Sequence, residues 1–297
     1  MKQGWGRWLA ALALTALCFG GSAAAQTIVV GGKAFTEQQI MTAMTVALLK
    51  AKGFTPDRKA GMGSAAVRTA MENGQIDVYW EYTGTSLGVF NKITDKFASA
   101  ADAYKKVKEV DAAKGIVWLN MSAVNNTYGF AMNRDDAQKR GIVTMSDLAK
   151  AIKDGAKLTF ASNAEFYARP DGLPGWQTAY GFEFERDNVK RMDTGLTYSA
   201  LRDRQVDVAV VFATDGRIPA FNFVVLKDDK NFAAPYNLTP VVRKEVLDKN
   251  PKLADALNAV AAKLNDDNMA KLNAAVDVDK KTPEEVAEAF LKANGLI

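Results

Sequence analysis

Two stretches of the chain repeat one another, and the repeat limits what the chain can fold into. Gly74 to Thr85 reads GQIDVYWEYTGT, and Arg204 to Asp215 reads RQVDVAVVFATD. Sliding one on the other aligns Gln75 with Gln205, Asp77 with Asp207, Val78 with Val208 and Tyr82 with Phe212. Each copy follows a helical run, AAVRTAMENG in the first case and TYSALRD in the second, and enters a run that reads as a buried strand. A helix feeding such a strand, twice over, predicts two similar α/β lobes. Ligands of open α/β sheets bind beyond the carboxyl ends of the strands, so Tyr82 and Phe212 are expected to face each other across a crevice between the lobes.

With 297 residues, two domains of ordinary size are affordable. Met1 to Ala25 reads as a secretory leader: Lys2 and Arg7 open it, Leu9 to Phe19 is apolar, and Ala23-Ala24-Ala25 is a small-residue cleavage pattern. Cleavage near Ala25 would release a periplasmic protein. The single cysteine, Cys18, lies inside that leader, and the sequence has no histidine. Imidazole and thiolate metal sites are thereby excluded, as are Ser-His-Asp and Cys-His nucleophiles. No phosphate-binding glycine pattern is present either, so the expectation is a protein without catalytic residue, metal or cofactor. A secreted enzyme built on paired carboxylates would have to use Asp77 and Asp207, which sit mid-strand and read as structural partners of nearby turns. The 38 basic and 34 acidic residues are interspersed, without the basic block that a run of phosphates demands. Nucleic acid is not an expected partner.

Along the chain, GGKAFTEQ turns a first strand into a helix, with Thr36 as N-cap and Gln39 three residues on. Lys33 sits in that turn, where a helix N-terminus favours an anion, although a solvated lysine is the plainer reading. Ser64 is the expected N-cap of a second helix and Thr282 that of the last. Asn125, Asn126 and Thr127 precede Tyr128 at a crossing point and read first as turn residues. Arg169 lies in a Pro- and Gly-rich loop beside Asp171, able to fork onto a ligand carboxylate or onto that aspartate. Crossovers near Tyr128 and Phe232 would divide the chain into lobe one, residues 26–128 plus 233–297, and lobe two, residues 129–232.

An aromatic recurs at each lobe edge: Tyr82, Tyr128, Phe212 and Tyr236. Each ring face attracts a cation by about 0.5 to 2 kcal/mol, and a quaternary ammonium, which has no N–H to donate, is served by rings alone. Lys33, Thr85 and Arg169 at the other end would complement a carboxylate, so the implied ligand is a betaine. The rival within the same architecture is a polar amino acid, whose ammonium needs an acidic partner such as Asp77 or Glu81.

GGKAFTEQ, GQIDVYWEYTGT, NNTYGFAM, the ATD of VFATDGRI, and VLKDDKNFAAPY resemble, in order, the motifs of a known family. These are the substrate-binding proteins of ABC importers for quaternary ammonium compounds, especially the OsmF-like branch. The resemblance implies a two-lobed α/β periplasmic binding protein fold of type II, with two crossover segments, that closes around its ligand. It implies an aromatic cage of Tyr82, Tyr128, Phe212 and Tyr236, with Lys33, Thr85 and Arg169 on the carboxylate side. Phe212 stands where tyrosine is common in the family, and Asn126 where an acidic residue can occur. Expected partners are a small quaternary ammonium ligand such as glycine betaine, choline or proline betaine, and the permease of an ABC importer; a sensory receptor is the alternative recipient. A monomer is the expected state.

Overall fold

A computed structural model of the protein describes Met1 and residues 27–297; the expected leader and its cleavage point lie outside the described residues. Among the described residues, ten strands form two separate sheets. The first contains β1 (Thr27–Lys33), β2 (Thr55–Met62), β3 (Val78–Tyr82), β4 (Ile116–Trp118) and, from far along the chain, β10 (Leu238–Arg243). The second contains β5 (Tyr128–Asn133), β6 (Phe160–Ser162), β7 (Val189–Arg191), β8 (Val208–Phe212) and β9 (Phe223–Val225). Their orders are β2-β1-β3-β10-β4 and β7-β6-β8-β5-β9.

The two repeated stretches hold the same place in the two sheets. β3 is the centre of the first, parallel to β1 and antiparallel to β10. β8 is the centre of the second, parallel to β6 and antiparallel to β5. The aligned aspartates explain part of the likeness. Asp77 accepts the Val29 N–H at 2.8 Å and the Arg243 guanidinium at 2.7 Å, while Asp207 accepts the Thr159 N–H at 2.8 Å and its hydroxyl at 2.7 Å. Each carboxylate thus staples the entry of a centre strand to the neighbouring parallel strand, the structural role the sequence suggested.

Both faces of β3 are covered, so all five of its residues are buried. Trp80 packs toward the helix Thr36–Ala51 and donates its indole N–H to Thr45 at 2.9 Å. On the other face Tyr79 joins Val67, Val107 and Trp118. Burying a large apolar side chain contributes about 1.5 to 3 kcal/mol, and the indole N–H is satisfied rather than orphaned. The chain crosses between the sheets twice, between β4 and β5 and between β9 and β10.

Two of the expected caps are corrected. Thr36 is the first residue of its helix rather than the cap, and its hydroxyl donates to Asp277 at 2.8 Å; Phe35 precedes it without a capping side chain. Ser64 likewise begins its helix after Gly63, because its hydroxyl and N–H are taken by Glu165. Thr282 does cap the last helix, in a reciprocal box with Glu285. Among the described residues no helix is long and apolar enough to cross a membrane.

Candidate functional site

The carboxyl ends of the two centre strands open onto one cavity of about 760 Å³. Lys33, Thr85, Asn126, Arg169 and the four rings Tyr82, Tyr128, Phe212 and Tyr236 all line it. The sequence-predicted residues are therefore brought together, not scattered among separate cores. Tyr82 ends β3, Phe212 ends β8, Tyr128 begins β5 directly opposite Phe212 in the ladder, and Tyr236 comes from the return crossing. Gly84 lets Tyr236 approach, since a Cβ there would lie 2.9 Å from both its ring and the Pro235 carbonyl.

A fifth ring, Phe35, joins the set. It stacks on Phe212 at 5.2 Å and faces Tyr82 at 6.2 Å. Phe212 lies 5.1 Å from Tyr128, which meets Tyr236 edge-on at 5.7 Å. The rings form a continuous belt: Tyr82, Phe35, Phe212, Tyr128, Tyr236. Phe35 is within GGKAFTEQ, but an aromatic after a strand end reads as core, and nothing in spacing distinguishes it.

Of the cations on the cavity wall, the two singled out from the sequence, Lys33 and Arg169, already have carboxylate partners. The buried Lys33 ammonium is paired with the fully buried Glu81 and sits 5.1 Å over the Tyr82 ring. Burial lowers its pKa from the ordinary lysine value against the pull of Glu81. Arg169 forks onto Asp171 at 2.9 and 2.7 Å, and its guanidinium lies 5.3 Å from the centroid of Tyr128 and 5.8 Å from that of Tyr236. Burial disfavours the Asp171 charge, but the Arg169 fork outweighs it and holds the carboxyl below its ordinary value. The two readings of Arg169 thus meet in one place: it faces the cavity while bound to Asp171. Burial pushes the Tyr128 phenol up to about 12 and those of Tyr82 and Tyr236 well above the usual value, so all three stay neutral rings.

Two carboxylates absent from the expected set complete the surroundings. Glu165, in the short helix Ala164–Ala168 after β6, reaches across the cleft to Ser64, accepting its N–H at 2.8 Å and its hydroxyl at 2.9 Å. Glu37, beneath Tyr82, accepts the hydrogen bond of that phenol at 2.6 Å. Both are glutamates in first helical turns, where an acidic residue is ordinary, so sequence gave no reason to single them out. Asp77 and Glu81, the acidic partners a polar amino acid would need, are not on the cavity wall.

Arranged this way, the cavity can hold a cation against ring faces and an anion near Lys33 and Arg169. The comparisons with known proteins agree with that chemistry. Residues 26–293 match the family described as the substrate binding domain of ABC-type glycine betaine transport systems. The chain is 43% identical over 292 residues to a glycine-betaine-binding protein of Pseudomonas aeruginosa, covering 96% of this chain and 94% of that one. It is 31% identical over 280 residues to the glycine betaine-binding protein YehZ of Escherichia coli, covering 92% of each. A solved glycine betaine/carnitine/choline ABC transporter structure superposes with a TM-score of 0.73 at 31% identity, over 91% of this chain and 99% of that one. The repeated strands, the two sheets and the ring-lined cavity between them are accordingly those of a family member: the chain belongs to the substrate-binding domains of ABC-type glycine betaine transport systems.

Proposed function

We propose that the protein captures a small quaternary ammonium solute, glycine betaine foremost, between its lobes and delivers it to the permease of an ABC importer. The observation that carries this reading is the belt of five rings, drawn from both sheets and a crossing segment, on one cavity wall. A trimethylammonium group cannot hydrogen-bond, so ring faces and apolar contact are the interactions that hold it. In this reading Tyr82, Phe212, Tyr128 and Tyr236 form the cage. Lys33, Thr85 and Arg169 receive the carboxylate, with Glu81 and Asp171 holding the two cations in place until it arrives. Asn126 shapes the floor, its amide donating to Glu37 at 3.1 Å.

Residues 26–128 with 233–297, and residues 129–232, are the two units that close, turning about the crossings. The protein acts as a periplasmic monomer with no catalytic step of its own. Titration calorimetry with glycine betaine, choline, proline betaine and carnitine, with glycine as control, tests the reading. Heat with the methylated ligands and none with glycine is expected; heat with glycine alone, or with none of them, overturns it.

A further inference from the structure

Beneath the ring belt lies a buried carboxyl group with no cation paired to it among the described residues, and burial raises its pKa against the hydrogen bonds made to it. Glu37, 2% exposed, is held by four donors. Tyr82 Oη at 2.6 Å and Asn126 Nδ2 at 3.1 Å reach one oxygen; Thr214 Oγ1 at 2.5 Å and Asn273 Nδ2 at 3.2 Å reach the other. The sense of the two amides follows from what else they bind. The Thr214 N–H donates to Asn126 Oδ1, and Asn273 Nδ2 also donates to the Thr214 carbonyl. Four donors match the acceptor capacity of an ionised carboxylate.

All four partners are neutral. Glu81, the other buried carboxylate against Tyr82, has Lys33 as its cation; among the described residues Glu37 forms no comparable pair. A buried carboxylate satisfied by hydrogen bonds but left without a counter-ion is costly, because its charge is still removed from water. It lies directly behind the phenol whose ring faces the cavity, and the hydrogen bond it accepts from that hydroxyl polarises the O–H and enriches the ring in electron density.

We propose that Glu37 is the resident counter-charge for the ligand's cationic head, acting through the Tyr82 hydroxyl and directly through the low-dielectric floor. This inference rests on the quaternary ammonium reading of the cavity. It adds that selection for positive charge, as distinct from methylated shape, is made by a residue that does not touch the ligand.

The test compares glycine betaine with 3,3-dimethylbutanoate, which has the same shape with carbon in place of the charged nitrogen. Both are measured by competition calorimetry on the wild-type protein, Glu37→Gln and Thr214→Val. Glu37→Gln should bind glycine betaine roughly tenfold more weakly, the order expected for a unit charge several ångströms away, with no loss for 3,3-dimethylbutanoate. Thr214→Val removes one donor and keeps the charge, so it should preserve the wild-type ratio between the two ligands. Equal losses of both ligands in Glu37→Gln, or no loss of glycine betaine, overturn the proposal. If Glu37→Gln does not fold, Tyr82→Phe cuts the link to the ring and is expected to lose glycine betaine selectively; an unchanged ratio overturns the proposal there too. A wild-type protein that binds no methylated ammonium overturns the reading of the cavity itself, a result separable from every outcome above.

Discussion

Glu165 provides the sharpest test of whether the lobes work as a clamp. The helix Ser64–Glu72 begins after Gly63 and has no side-chain cap of its own. Its cap is supplied from the other sheet's side of the cleft, by the Glu165 carboxylate on the Ser64 N–H and hydroxyl at 2.8 and 2.9 Å. An N-cap substituted by alanine typically costs about 0.5 to 2 kcal/mol. Glu165 is exposed, so screening places its value in the lower part of that range, about 1 kcal/mol. On the proposed closure, this cap is made only while the lobes touch. Glu165→Ala should therefore bias the protein toward the open form and weaken glycine betaine binding roughly fivefold, the equivalent of about 1 kcal/mol. The melting temperature without ligand should change little. Calorimetry gives the first number, and scanning calorimetry with and without ligand gives the second. Unchanged affinity, or a melting temperature that falls equally in both conditions, would refute the argument, because the contact would then belong to the fold rather than to closure.

Tyr82→Ala and Tyr236→Ala should each weaken glycine betaine by about 1 to 3 kcal/mol in calorimetry, combining lost cation–π attraction with lost burial. Arg169→Ala should weaken glycine betaine far more than choline, which has no carboxylate; equal losses would remove Arg169 from the carboxylate end. Away from the cavity, burial opposes the Asp111 charge, but the Arg68 fork at 2.9 and 2.7 Å outweighs it and holds the carboxyl below its ordinary value. A depressed folded pKa gives stability that is complete above the unfolded value of about 3.9 and lost as pH falls through the folded one. Melting curves from pH 5 downward, an interval set by that reference value, should accordingly show a shallower acid loss in Asp111→Asn than in the wild type.

The centre strands and the ring positions were legible because each is specified locally: an aspartate, a β-branched run and an aromatic at fixed offsets. Edge strand β2 was not. Its sequence, TPDRKAGM, has no apolar alternation because only its pairing with β1, and not a buried face, makes it a strand. Thr36 and Ser64 were misassigned as caps because their hydroxyls answer to Asp277 and Glu165, which are distant in sequence. The same distance hid Glu37, whose partners Thr214 and Asn273 lie 177 and 236 residues away. The dual position of Arg169, bound to Asp171 and yet on the cavity wall, was likewise beyond reach, since both readings fit one loop sequence equally well.

Strand β10 also fixes the order in which the molecule can be finished. Lobe two's five strands are consecutive in the chain, whereas among the described residues β4 has β10 as its only sheet neighbour, and Ile116 must wait for Arg243. A chain emerging from its N-terminus holds an incomplete first sheet until more than a third of its length beyond β4 has arrived, with an unpaired edge open to wrong partners meanwhile. Truncation anywhere before Leu238 therefore removes more than a tail: it strands β4 and leaves Tyr82 without the neighbour that closes its sheet.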